Sequence, residues 1–167
     1  MHEERLSDVE LIRRGAIKGR EALEILNTGE YLFHGSMEKV ERLEPRQAYT
    51  IQDNVRIKDG EPAVWATDNI DVAIFMAIAK PFGRAAFRKI KENKLMHFTI
   101  SDKLARKLET VDPKAYVLVL PRTGFKGREV QFKANEGVNL EFIIEVSKKD
   151  LPKNIEIKEG WGLPKNA

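Results

Sequence analysis

The chain has 167 residues, 42% of them hydrophobic and 33% charged, which suits one globular domain with its own core and excludes a disordered or fibrous chain. It contains no cysteine and only three histidines. That excludes a disulfide framework and a thiolate metal site, and points to a reducing compartment, read here as the cytoplasm. The net charge of +3 is small but uneven: Lys80 to Leu108 holds nine basic residues against Glu92 and Asp102, a net of +7, leaving −4 for the remainder. No signal peptide or membrane span is expected, because the best apolar run, Val72 to Ala79, is eight residues long where about twenty are needed.

The first predicted element is a short helix from Ser7 to about Arg14, opened by the capping-box pattern Ser-Asp-Val-Glu, in which Ser7 and Glu10 can satisfy each other's free backbone donors. A second helix is predicted from Arg20 to Asn27, and then an aromatic-rich strand from Tyr31 to His34 that turns at Gly35. Leu43 to Pro62 has no sustained period and contains Pro45, Gly60 and Pro62, so it reads as a long loop. Ala63 to Ala66 reads as a strand. Thr67 or Asp68 would cap the apolar helix that follows, Ile70 to Ala79.

After Pro81, the residues Gly83, Ala86, Phe87 and Ile90 fall at helical spacing, with Arg84, Arg88 and Lys91 on another face, and predict a second helix there. The period then becomes that of strands: Leu95 to Ile100, Ala115 to Leu120, Glu129 to Lys133 and Val138 to Val146, with hairpin-like gaps at Thr123 to Gly127 and Asn135 to Gly137. Lys148 to Ala167 reads as an edge strand and an extended basic tail. The order predicts an α+β fold with a split, mainly antiparallel sheet, divided as a helical segment (1–29), a main domain (30–147) and the tail (148–167).

Four features carry candidate chemistry. His34-Gly35-Ser36 places an imidazole, a permissive backbone and a hydroxyl in one corner, where a polar ligand can approach closely. Trp65, in Val64-Trp65-Ala66-Thr67-Asp68, and Phe75 on the following helix are aromatics able to sandwich a flat heterocycle or to pack in the core, and for Phe75, on an apolar helix, the pattern favours the core. Glu129 and Gln131 alternate with Val130 and Phe132, so a carboxylate can look into a cleft from a strand face, or merely face solvent. The basic segment 80–108 suits RNA or DNA phosphates, or a solvated face. Phosphate-binding glycine loops, zinc-protease motifs and a cysteine nucleophile are absent.

Taken in order, Tyr31-Leu32-Phe33-His34-Gly35-Ser36, then Val64-Trp65-Ala66-Thr67-Asp68 with its helix, then Glu129 nine residues before Val138, resembles the three-motif pattern of ADP-ribosyltransferases. The branch it is similar to is the His-Tyr-Glu one, which includes poly(ADP-ribose) polymerases and diphtheria-toxin-like enzymes. The resemblance covers roughly Tyr31 to Val146 and implies NAD as co-substrate, no metal, and a cleft in a split β-sheet. It also implies site roles. His34 would bond the adenosine-side ribose, Gly35 would read the carboxamide, and Ser36 would support the turn. Trp65 and Phe75 would flank the nicotinamide ring beside Ala66 and Thr67, with Arg46 a candidate for the pyrophosphate.

Glu129 would bond the ribose next to the scissile bond and stabilise its oxocarbenium-like state. Trp65 stands where the family usually has tyrosine. A second register of the third motif puts Gln131 at the catalytic place, as in the Arg-Ser-Glu branch. The function implied is mono-ADP-ribosyl transfer to a protein or nucleic-acid acceptor. The alternatives are an inactive module of the same fold that binds NAD, ADP-ribose or nucleic acid, and an NAD-dependent RNA 2′-phosphotransferase.

Overall fold

The computed structural model describes residues 6–161. Helix α1 (Asp8–Arg13) opens at Ser7, whose hydroxyl accepts from the Glu10 amide at 3.2 Å, so the hydroxyl half of the expected capping box is formed. Helix α2 (Gly19–Leu26) buries Ala22, Leu23 and Leu26. Strand β1 (Tyr31–Ser36) runs two residues beyond His34, so Gly35 and Ser36 lie in the strand rather than in a turn after it.

The segment expected to be one long loop is mostly sheet. Short β2 (Arg42–Leu43) is followed by a hairpin of β3 (Arg46–Gln52) and β4 (Val55–Ala66). Asp53 and Asn54 make its two-residue turn with φ of 50° and 64°, the left-handed pair that suits the twist of flanking strands. Helix α3 (Ile70–Ile78) is capped by Asn69, whose side-chain oxygen accepts from the Val72 amide at 3.1 Å; neither Thr67 nor Asp68 takes that role.

A 3-10 turn at Lys80–Phe82 leads into β5 (Ala85–Lys89), a strand where a helix was expected. The helical spacing of Gly83, Ala86, Phe87 and Ile90 is outweighed by a two-residue alternation: Ala85 is buried and Phe87 half-buried, while Ala86 and Arg88 are exposed. Strand β6 (Met96–Ser101) pairs with it. Helix α4 (Asp102–Thr110), for which no element was expected, follows with Ser101 as its cap and with Leu104 and Leu108 buried one turn apart.

Strands β7 (Ala115–Pro121), β8 (Lys126–Arg128) and β9 (Gln131–Ala134) come next. Glu129 and Val130 precede β9 in a tight turn instead of belonging to it. The expected strand 138–146 is broken into β10 (Val138–Asn139), paired with β2, and β11 (Phe142–Val146), paired with β7. Strand β12 (Ile155–Lys158) lies parallel to β6 and is the expected edge strand. The end of the expected tail, 162–167, is outside the described residues.

The result is α+β with mostly antiparallel sheets. One sheet runs β1-β7-β11 and another β3-β4-β9-β8. They touch where Phe33 and Thr67 exchange two backbone hydrogen bonds of 2.8 Å, an isolated bridge. Past it β1 and β4 part. Helix α3 packs against β1 and β7, buried nearly all round, as its sequence of apolar residues on every face requires.

Ile70, Ala73, Ile74, Ala77 and Ile78 join α2 and the β1-β7-β11 sheet in one core. Val72, Phe75 and Ala79 join β5, β6 and α4 in a second. A third, smaller core of Leu32, Val64, Ala66, Leu120, Phe132 and Ala134 lies under β4 and β9. Helix α2 shares the first core with the sheet, so the N-terminal helical segment packs directly on the strands it precedes.

Candidate functional site

Strands β1 and β4 diverge just after their bridge, and the gap is lined by side chains that the two strands present from either side. His34 on β1 faces Trp65 on β4, and the imidazole Nδ1 lies 2.6 Å from the Trp65 carbonyl oxygen. A carbonyl only accepts, so Nδ1 carries the proton and donates, leaving Nε2 as the acceptor nitrogen, without a hydrogen-bond partner among the described residues. Burial holds the His34 pKa below its ordinary value, and the nearby positive charge of Arg46 adds to this, against the Trp65 hydrogen bond. The ring is therefore neutral at neutral pH. Arg46 itself starts β3, pairs with Ala63 and does not line the gap, but its charge acts on His34.

The hollow so formed has a volume of about 230 Å³. Phe33, His34 and Gly35 form one wall, Trp65 to Thr67 another, and Val72, Ala73 and Met76 of α3 a third, with Phe87, Val130 and Gln131 at its open end. Trp65 is 43% exposed and Met76 37%, so a ring and a flexible thioether remain open to the hollow.

Phe75 does not contribute. It is fully buried, its ring centroid is 4.9 Å from that of Phe98, and it faces the second core instead of the gap. Its neighbour Met76 takes the place expected for a second aromatic. Ser36 is also turned away: its hydroxyl donates to the Glu38 carbonyl at 2.8 Å and accepts from the Glu38 amide at 3.1 Å.

Gly35 lines the hollow, but its packing sets its identity. A Cβ there would lie 2.5 Å from the Ala73 carbonyl oxygen and 2.7 Å from the Ala77 nitrogen, so only glycine lets α3 approach β1 this closely.

The third motif is built differently from a plain strand. The Glu129 carbonyl accepts from the Gln131 amide at 2.7 Å, closing a three-residue turn around Val130. Glu129 and Val130 have φ of 27° and 68°, the left-handed region that a β-branched valine adopts only under strain. An external tie compensates: the Asp68 carboxylate accepts from the Val130 amide at 2.8 Å. Asp68 thus couples the end of β4 to the turn before β9, a role that its position before α3 concealed.

Gln131 lines the hollow directly. Glu129 lines an adjoining recess of about 250 Å³, which shares Phe87, Val130 and Gln131 with the hollow and adds Arg88, Lys89 and Met96. Its side chain is 67% exposed and paired with Lys89. The Lys89 hydrogen bond and charge, with a smaller effect of Lys94, hold the Glu129 carboxyl below its ordinary range, so it is ionised near neutrality.

A larger concavity, about 630 Å³, lies between the α1–α2 connection and β11, and none of the residues singled out above lines it. Its buried Asp150 is already engaged, accepting from the Arg20 amide at 3.1 Å and the Ser147 amide at 2.9 Å. Asp150 thereby ties the start of α2 to the segment that follows β11.

Among the described residues, no group of three or more histidine and carboxylate side chains is placed to hold a metal ion, and no helix is long and apolar enough to cross a membrane. No protein-family model matches the chain, nor does any curated protein or solved structure.

Proposed function

We propose that the protein is an NAD-dependent mono-ADP-ribosyltransferase. One observation carries this reading: His34 and Trp65, on strands that meet at a single bridge, line one hollow together with Gln131, and Glu129 stands at its adjoining end. A flat, mostly apolar heterocycle suits the space between the Trp65 ring and the Met76 thioether, with Val72 and Ala73 as its apolar wall. His34, neutral and presenting Nε2 as an acceptor, fits a ribose hydroxyl.

Glu129 supplies the negative charge. As the bond between nicotinamide and ribose breaks, nicotinamide leaves with the bonding electron pair and positive charge grows on the sugar. An ionised carboxylate interacts more strongly with that charge than with the neutral-sugar ground state, and so lowers the barrier. A lone pair of the acceptor then forms the new bond to the same carbon, and the acceptor's proton passes to solvent or to Glu129.

A specific observation favours a second reading. Gln131, an amide, faces the hollow more directly than Glu129, whose carboxylate is held by Lys89. With Gln131 at the catalytic place the chain would bind NAD or ADP-ribose without cleaving it. Incubation of pure protein with NAD labelled in the nicotinamide separates the two. Nicotinamide release that is lost in Glu129→Gln and His34→Ala is the expected result. Release that survives Glu129→Gln unchanged removes Glu129 from the mechanism, and NAD binding without release, converted to release by Gln131→Glu, establishes the second reading. Loss of phosphate from 2′-phosphorylated RNA would instead identify a phosphotransferase.

A further inference from the structure

The hollow and its adjoining recess form a groove flanked by basic residues on two sides: Arg88 and Lys89 line the recess itself, and Lys126, Arg128 and Lys133 stand on the β8–β9 pair that supplies Gln131. On one bank the register sets Trp65 beside Lys133 and Lys133 directly opposite Lys126, with Arg128 opposite Gln131 in the next row. Phe132 and Ala134 point into the core, so Gln131 and Lys133 share the outer face. On the other bank the β5–β6 hairpin carries Arg88, Lys89, Lys91 and Lys94. Across residues 88–97 and 126–133 there are seven basic side chains, counting Lys and Arg, and two acidic ones, Glu92 and Glu129.

Among the described residues, none of Arg88, Lys94, Lys126, Arg128 and Lys133 forms a salt bridge. Like charges facing each other across a strand pair, as Lys126 and Lys133 do, are destabilising. An anionic partner placed between the two would relieve that repulsion.

The floor between the banks narrows the choice of partner. Phe87 and Met96 give the recess an apolar base, and Glu129 is the carboxylate within it. An acidic peptide would bring its carboxylates against Glu129 and leave the apolar floor unused. A nucleic-acid strand places an uncharged base on the floor and keeps its phosphates at the basic rims. The base has to be unpaired, because a duplex keeps the faces of its bases stacked on one another and unavailable to an apolar floor.

We propose that this groove binds single-stranded nucleic acid and that such a strand is the acceptor. The second half rests on the transferase reading; the binding surface does not. The test uses a short fluorescein-labelled oligodeoxynucleotide, single-stranded or annealed to its complement, without NAD, over a range of salt, against the wild type and the double variant Lys126→Gln, Lys133→Gln. Loss of two phosphate contacts should weaken single-strand binding about 25-fold near 0.1 M salt and reduce the slope of log affinity against log salt by about 1.4. Nicotinamide release without acceptor should stay at the wild-type rate. The melting temperature of the variant should not fall, since a repulsive pair has been removed.

Single-strand binding that is absent at low salt, insensitive to the double variant, or equalled by the duplex or by poly-glutamate overturns the proposal. Strand binding with no nicotinamide release from any sample upholds the surface and sinks the transferase reading; release with no strand binding does the reverse. Label from NAD appearing on the oligodeoxynucleotide in the wild type, and falling in the double variant, supports the acceptor role.

Discussion

Gly35→Ala tests whether the contact between β1 and α3 sets the shape of the hollow. The added Cβ would stand 2.5 Å from the Ala73 carbonyl oxygen, about 0.8 Å inside an ordinary carbon–oxygen contact. It would also stand 2.7 Å from the Ala77 nitrogen. Both obstacles are helix backbone, and α3 is packed against cores on two sides, so neither can swing away as a side chain would. Overpacking of this kind costs about 3 kcal/mol at the upper end of its usual range. Lower entropy of the unfolded chain returns about 0.5–1 kcal/mol.

A net loss of about 2 kcal/mol lowers the melting temperature of a chain this long by about 4–8 °C. Urea unfolding should show a lower midpoint at unchanged slope. Because the same shift moves Val72, Ala73 and Met76, the rate of nicotinamide release should fall by about 100-fold, the usual consequence of a misplacement near 1 Å. Ala73→Gly should not rescue the variant, since the clash is with a carbonyl oxygen rather than with a methyl group. A melting temperature within a degree of wild type, or rescue by Ala73→Gly, would refute the reasoning.

Phe75→Leu should lower stability by about 1–2 kcal/mol through lost contact with Phe98 while leaving NAD affinity by calorimetry unchanged, whereas Met76→Ala should do the opposite. His34 has a folded pKa below its ordinary value, so the unfolded chain takes up the proton first as pH falls. The folded state therefore keeps its full stability above about pH 6.5 and loses some of it below; in His34→Gln, denaturation midpoints measured across pH should lack this component of the slope. Asp68→Ala leaves the Val130 amide without its acceptor and should cost about 1–2 kcal/mol while reducing nicotinamide release more than NAD binding. Equal losses in both would mean that Asp68 supports the hollow generally and not the Glu129 turn.

Elements whose apolar pattern is long or whose caps are local were legible in the sequence. Helix α3, strand β7 and the start of α1 fall within a residue or two of expectation, because eight apolar residues in a row, a buried β-branched strand, and a serine three residues before a glutamate each act over short range. The errors arise where local signals compete with pairing partners distant in sequence. Pro45, Gly60 and Pro62 read as loop breakers, yet β3 and β4 take their order from cross-strand pairing and from a turn at Asp53 and Asn54 that lacks the usual glycine. Strand β5 is held by β6: Ala85 pairs with Ile100 and Phe87 with Phe98, contacts that a helical spacing of four residues cannot foresee. Helix α4 had its signal in plain view, with Ser101 as cap, Leu104 and Leu108 one turn apart, and Asp102 and Arg106 as an i,i+4 pair.

The same distinction explains the candidate site. His34, Gly35, Trp65 and Gln131 could be picked out by residue type and order, and the fold brings them to one hollow. Phe75 could not be separated from its neighbour Met76 by pattern, because α3 is buried on nearly every face and its sequence carries no polar stripe to orient it. Glu129 is the more instructive case. Its alternation with Val130 and Gln131 predicted a strand residue on a fixed face, but a left-handed turn tied to Asp68 lifts it out of the sheet and toward Lys89. A carboxylate on a regular strand would have one direction fixed by the pleat. On a turn whose strained geometry depends on a single side-chain tie, its position is set by Asp68 and Lys89 together, so those two residues, from the second motif and from the basic hairpin, govern how the charge is presented to the hollow.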